Sequence, residues 1–391
     1  MKKRKIVSTL LALLLLASMP VSALALEWDI SNGDITVNAG SGGQTVTQGD
    51  GAAVEDSAPV ITGSSTENTV TINAEKDQTS SVTLSGANID VSNEGKAAVS
   101  TNGEGNVSIE LDGENTLKSG KGHAGLEKNN GGKLTIADED KNGKLTAEGG
   151  KYGAGIGGGD QGAGSGITIT GGEIKATGGQ YGAGIGGGSY GAGGNQIVIN
   201  GGTVKARSGQ GSGVALGGGR DKEGGKVTIN GGTVYVNKST SGDGDGIGWR
   251  VQLVSEPGSS GIIVAQAVSD AADLSGFNGI IKQGSTYTVY GSANLETALE
   301  IKKGETLKIE NKKTLTISEN VTLTNNGTIT VSGTLTNNGT IVDNGTINGT
   351  VGGDVRYPSS VTVSLTQGGQ SVTSVSYGSA ITITATMTKQ T

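Results

Sequence analysis

The amino-acid sequence predicts an all-β protein: a right-handed parallel β-helix of about 30-residue coils with three short strands each, then a narrower β-solenoid and the start of an Ig-like β domain. Three observations lead there. GAGIGGG at Gly153–Gly159 returns at Gly182–Gly188 and, as GVALGGG, at Gly213–Gly219. Two aliphatic tracks keep step with it, Ile169, Ile199 and Ile229 and then Ile174, Val204 and Val234, each advancing by 30 residues. Further on, Leu323, Ile329, Leu335, Ile341 and Ile347 advance by six, accompanied by Gly327, Gly333, Gly339 and Gly345.

Residues 1–25 read as an export signal rather than as part of the fold. Lys2, Lys3, Arg4 and Lys5 precede an apolar run around Leu10 to Leu16, and Ala23-Leu24-Ala25 offers a small-x-small cleavage site. This segment holds four of the 29 Lys and Arg residues and none of the 36 Asp and Glu, so the chain beyond it carries a net charge of −11. An acidic surface argues against nucleic acid and anionic lipid as partners, and no second long apolar run follows to insert in a membrane. The chain has no cysteine, which removes disulfides, thiolate chemistry and Cys-based metal sites. Its 73 glycines come with only four prolines and no triplet repeat, which excludes collagen. Their long period separates them from a disordered tract.

Residues 26–255 form the expected β-helix. One coil alone has too few inward aliphatics to bury them, but stacked coils pair edge to edge and make ladders of Ile, Val and Leu. The pairs Gly171-Gly172, Gly201-Gly202 and Gly231-Gly232 follow one strand of each coil and mark a corner that needs positive φ. A third track runs Val99, Leu126, Ile156, Ile185, Leu216 and Ile247. The end coils need caps against unpaired strand edges, and the segment around Trp28 is the natural N-terminal one. Residues 256–306, with Phe277 and the run TYTVY, read as an irregular β connector. The six-residue repeat over 307–353 reads as a narrower solenoid. Residues 354–391 shift character at Tyr357-Pro358 and contain two alternating strands, Val361–Leu365 and Ile381–Met387. That is too few for a complete sandwich, so the chain reads as part of a longer surface protein.

These coils resemble those of secreted Gram-positive, Firmicutes-type surface proteins, whose Gly-rich β-helices carry GAGIGGG and ITITGG. Such regions are grouped with carbohydrate-binding β-helix domains similar in fold to pectate lyases. The likeness covers roughly residues 60 to 250, and the stretch from Thr288 resembles adhesin-like proteins. It implies a bacterial cell-surface or secreted location and a polysaccharide or host glycan as partner. The shared motifs are corner and core residues, so they do not specify the ligand.

Individual residues sharpen the functional expectation. Tyr152 and Tyr181 precede successive GAGIGGG runs and should stack as neighbours, whereas Tyr235 falls where Lys175 and Lys205 lie in earlier coils and should point outward. All three are candidate carbohydrate-binding residues, and packing of corners is the competing role. Asp138, Asp140 and Asn142 open a D-x-D-x-N-G run, oxygen ligands spaced as in a calcium loop, with Gly149 at the twelfth position and Glu148 beside it. A polar turn fits the same residues. Asp243 and Asp245 form a weaker acidic pair. The G-x-G-x-x-G pattern at Gly153, Gly155 and Gly158 recurs at Gly182, Gly184 and Gly187 with no helix after it, so it is a structural turn and not a dinucleotide site.

Catalysis is not expected. His123 is the sole histidine, and Arg207, Arg220 and Arg250 have no acidic cluster at matching coil positions. A pectate-lyase-like enzyme and a purely structural stalk are the alternatives to a binding module. The Thr-x-Thr units at Thr322, Thr328 and Thr334 suit an exposed strand and call for no ice-binding role.

Overall fold

The computed structural model describes residues 25–193, 196–211, 213–237, 246–248, 250–356, 359–367, 370–371, 373 and 382–389. All but one residue of the expected export signal, together with Asp243, Asp245, Tyr357-Pro358 and Ile381, lies outside the described residues.

Three sheets of ten, nine and thirteen strands, here A, B and C, organise most of the chain. Each coil of the first solenoid visits them in the order A, C, B, as in Asn106–Asp112, Glu114–Lys118 and Leu126–Lys128. Neighbouring coils pair in parallel and in register, with Ile169 beside Ile199 and Ile199 beside Ile229 in sheet A. Ile174, Val204 and Val234 are likewise adjacent in sheet C, and Ile156, Ile185 and Leu216 in sheet B. All nine are fully buried. The stack accords with the expected right-handed parallel β-helix. Gly172, Gly202 and Gly232 take φ of +85°, +79° and +76° at the corner between sheets A and C.

At the N-terminal end the edge of sheet B is closed by an antiparallel turn-back. Gly43–Gln48 pairs with Ile35–Gly40 and in turn takes Val54–Glu55 on its outer edge. Ile30 plugs the core beneath it, and the Trp28 indole Nε1 donates to the buried Asp56 carboxylate at 2.8 Å. An antiparallel pairing offers no parallel edge for another coil to extend.

Within the expected connector 256–306 the chain passes from one solenoid to the next. Ile262–Ala265 and Gly279–Gln283 continue sheet C in parallel, and then Thr286–Tyr290 returns antiparallel through a tight hairpin at Gly284. The burial changes side at this hairpin. Ile263 and Ile281 face the first core, whereas Ile262 and Ile280, which point out of the first solenoid, join Tyr287 and Val289 in a second core. Phe277 and Tyr290, ring centroids 6.0 Å apart, seal the end of the first core. Strand direction and buried face both reverse, so the two solenoids wind with the same hand.

The second solenoid is triangular. Its six-residue repeat is one side of a coil, so Leu323 pairs with Ile341, and Ile329 with Ile347, 18 residues apart. It also tapers. In one sheet Leu299, Leu323, Ile341 and Val355 are successive neighbours, separated by 24, 18 and 14 residues. The inner layer changes with the taper: Ile301 gives way to Asn325 and then Asp343. The Asn325 amide donates to Asp343 at 2.6 Å, and its carbonyl oxygen accepts the Gly327 N–H at 3.1 Å, so these buried polar groups hold the narrowed corner.

Beyond it, Ser359–Gln367 and Thr382–Lys389 pair antiparallel over Ser359 to Thr366, with Gln370–Ser371 on the same strand. These two strands cover the expected runs Val361–Leu365 and, from Thr382 on, Ile381–Met387.

Candidate functional site

Sheet C presents its outer face along most of the first solenoid. In a parallel sheet, paired residues point the same way, so the outward positions form columns about 4.8 Å apart along the stack. One column runs Thr146, Lys175, Lys205, Tyr235 and Val264. A second runs Asp90, Lys118, Glu148, Thr177, Arg207 and Asn237. A third, Glu114, Lys144, Glu173, Thr203 and Thr233, ends on Ile262.

Several of these charges neutralise each other across strands. Lys144 Nζ lies 2.8 Å from Glu114 and Lys205 Nζ 2.5 Å from Glu173, while Lys118 sits 3.8 Å from both Asp90 and Glu148. The hydrogen bond and charge of Lys144 hold the Glu114 carboxyl below its ordinary pKa, and those of Lys205 do the same for Glu173. Lys175 and Arg207 are exposed and have no carboxylate partner among the described residues.

Where the second column meets the corner toward sheet B, the surface sinks into an open groove of about 470 Å³. Glu148, Thr177, Gln180, Arg207, Ser208 and Gln210 line it, a set rich in amide, hydroxyl and charged donors and acceptors. Gln180 and Gln210 occupy the coil position held by Lys151, a 29- and 30-residue spacing legible in the sequence but overshadowed by the tyrosines beside it.

The corner itself carries the tyrosine ladder. Tyr152 and Tyr181 stack with centroids 5.8 Å apart and planes 12° from parallel. Their faces are occupied from both ends. Lys121 and Lys151 lie 5.6 and 5.4 Å from the Tyr152 centroid, and Arg220 lies 5.1 Å from that of Tyr181 and 5.7 Å from that of Tyr190. In the third coil the tyrosine position is Gly211, whose α-carbon lies so close under Tyr181 that a Cβ would come within 2.8 Å of the ring. The ladder therefore offers ring edges and hydroxyls to solvent rather than flat faces. Tyr235 differs: among the described residues its ring has no aromatic, cationic or hydrogen-bond partner.

On the opposite corner, between sheets A and C, the structure brings Asp138 and Asp140 together with Glu110 of the preceding coil, carboxylate oxygens within 4.8 Å of one another. Glu110 was not visible as a candidate, because only coil stacking makes it a neighbour of residues 28 and 30 positions away. Burial raises its pKa, and the nearby Glu139, Asp138 and Asp140 charges add to that. Asn142 is turned elsewhere: its carbonyl oxygen accepts the Gly113 N–H at 3.2 Å and its amide donates to Asp140 at 2.7 Å. Asp138 Oδ1 accepts the Asn142 and Gly143 N–H groups at 3.1 and 3.0 Å, closing the turn. Glu148 lies across sheet C, beside Lys118. An all-oxygen set of three carboxylates suits a hard cation such as calcium, with Glu110 taking the place expected of Asn142.

His123 stands 2.9 Å from the buried Glu127, which also accepts the Ala124 N–H and the Asn129 amide, a satisfied local cluster. Arg220 contacts Asp221 at 3.1 Å and Arg250 contacts Glu223 at 2.6 Å. The glycines of the G-x-G-x-x-G pattern lie buried in stacked turns, and the single 3-10 turn at Ile30–Asn32 is the only helical element among the described residues. Compared with known proteins, the chain matches no family model, no curated protein and no solved structure.

Proposed function

We propose that the protein is a non-catalytic, glycan-binding module of a secreted or bacterial cell-surface protein, an adhesin-like role in which the outer face of sheet C holds a polysaccharide. The observation that carries this reading is the polar groove at Glu148, Thr177 and Arg207, continuous along sheet C with the free ring of Tyr235. Sugar recognition combines convergent hydrogen-bonding groups with an apolar ring that a pyranose face can cover. Both lie here on one rigid wall that needs no reorganisation to bind. Lys175 and Arg207 favour a glycan bearing carboxylate, sulfate or phosphate groups. The stacked pair Tyr152 and Tyr181 acts as a buttress for the corner that positions Gln180 and Gln210.

The test is a glycan array with the full chain, followed by titration of the strongest binder. Tyr235→Ala and Arg207→Ala should each weaken binding by roughly tenfold, since a lost stacking or charge-assisted contact is worth about 1–2 kcal/mol. Tyr235→Phe should retain it. A chain that binds no glycan would favour the purely structural stalk, and release of unsaturated oligosaccharides from pectin would favour the lyase alternative.

A further inference from the structure

The change of core at the Gly284 hairpin gives the glycan-binding face an end. Ile262 and Ile280 continue the outward column that begins at Glu114, yet they are 6% and 1% exposed, because the second solenoid packs its core directly onto them. The join is sealed by backbone hydrogen bonds between Gly258-Ser259, just before Ile262–Ala265, and the first coil of the second solenoid, Gly258 N–H to Ser292 O and Asn294 N–H to Ser259 O, both at 2.9 Å. Lys282, next in the Tyr235 column after Val264, is tied to Glu305 at 2.5 Å and to the Tyr287 hydroxyl at 2.9 Å. Among the described residues the outer face of sheet C is therefore open from Ser64–Ser65 to Thr233–Asn237, seven strands or on the order of 30 Å, and then meets a wall.

The chemistry of the floor changes toward that wall. Thr146, Lys175 and Lys205 give way to Tyr235 and Val264 in one column, and Glu173 and Thr203 to Thr233 and Ile262 in another. The unpartnered tyrosine stands one strand from the first walled strand, at the foot of the step.

We infer that the protein recognises the terminus of an extended polysaccharide: a chain lying along the residue columns abuts the second solenoid, and its last ring rests on Tyr235 beside Val264. This inference rests on the glycan-binding reading above. An open-ended sheet face would hold any internal stretch of a polymer, sliding from coil to coil. A walled one places an aromatic platform only where the chain stops, while Lys175 and Arg207 hold the units behind it.

The experiment uses the full chain with three pairs of probes: cellohexaose and carboxymethyl cellulose, xylohexaose and xylan, hexagalacturonate and polygalacturonate. Isothermal titration identifies any hexamer that binds, and competition compares that hexamer with its own polymer at equal sugar mass. Terminal recognition predicts that the hexamer competes at least tenfold better, in line with its larger number of chain ends. It also predicts that Tyr235→Ala lowers hexamer affinity by about tenfold while Tyr235→Phe does not. Equal competition per sugar mass, or a hexamer indifferent to Tyr235→Ala, would overturn terminal recognition and leave the glycan reading standing. Absence of binding to all six probes and to every glycan of the array would overturn both.

Discussion

Replacing Gly186 by alanine perturbs the glycine column that lets sheet B stack. Gly186 adopts φ +138°, and a Cβ built there would lie 1.8 Å from the carbonyl oxygen of Gly217 in the next coil, against about 3.4 Å for ordinary contact. The obstructing atom is backbone, so the coils must separate by more than an ångström or the residue must leave its conformation. Separation breaks the hydrogen bonds that join these coils, Gly187 N–H to Gly217 O at 3.0 Å and Ile185 N–H to Ala215 O at 2.9 Å. Leaving one such buried group unpaired costs roughly 1–3 kcal/mol, and holding a non-glycine residue at this φ about 1–3 more. A loss of about 3–5 kcal/mol follows. Because each coil touches only its neighbours, the damage should stay local. Native-state hydrogen exchange reads this directly: the amides of Ile156, Ile185 and Leu216 should lose about a hundredfold or more of their protection, while those of Leu323 and Ile341 in the second solenoid keep theirs. Gly42→Ala, at a position with nothing within 4 Å, is the control and should change little. A Gly186→Ala chain whose sheet B amides lose less than tenfold would refute the stacking account.

Four other outcomes are expected. Burial lowers the Lys128 pKa to about 8, below its unfolded value, so the unfolded chain binds the extra proton between about pH 8 and the ordinary lysine range. Stability should therefore rise with pH across that window, and Lys128→Met should flatten the rise in urea melts at successive pH values. At the junction, burial opposes both charges of the Lys282–Glu305 pair, but their hydrogen bonds outweigh it, raising the lysine pKa and lowering the glutamate's. The Glu305 contribution should be present above the ordinary carboxylate range and fade as pH falls through its lowered value, and Glu305→Gln should cost about 1–3 kcal/mol at neutral pH by exchange at the Tyr287 and Leu307 amides. A double-mutant cycle on Tyr152 and Tyr181 should return a coupling of about 0.5–1.5 kcal/mol, and zero coupling would dismiss the buttress. Calcium should raise the thermal midpoint of the wild-type chain and leave Asp138→Asn/Asp140→Asn unmoved, whereas a flat wild-type titration would dismiss the calcium reading.

The sequence by itself determined the coils. Ile169, Ile199 and Ile229 return every 30 residues because a coil that stacks must bring the same inward position back to the same place, so the period records the coil and the glycines record its corners. The stacking of Tyr152 on Tyr181 was legible for the same reason. Tertiary structure decided whatever depends on contact between coils or on which side of a sheet is buried. Glu110 joins Asp138 and Asp140 only through parallel pairing of adjacent coils, and the Tyr152 and Tyr181 faces are covered by Lys121 and Arg220 from coils before and after. The wall beside Tyr235 depends on a hairpin register that sets Val289 opposite Ile280 rather than Ile281. Side chains alternate between the two faces of a strand, so a shift of one residue there would have placed the second core on the other side of sheet C and left its outer face open.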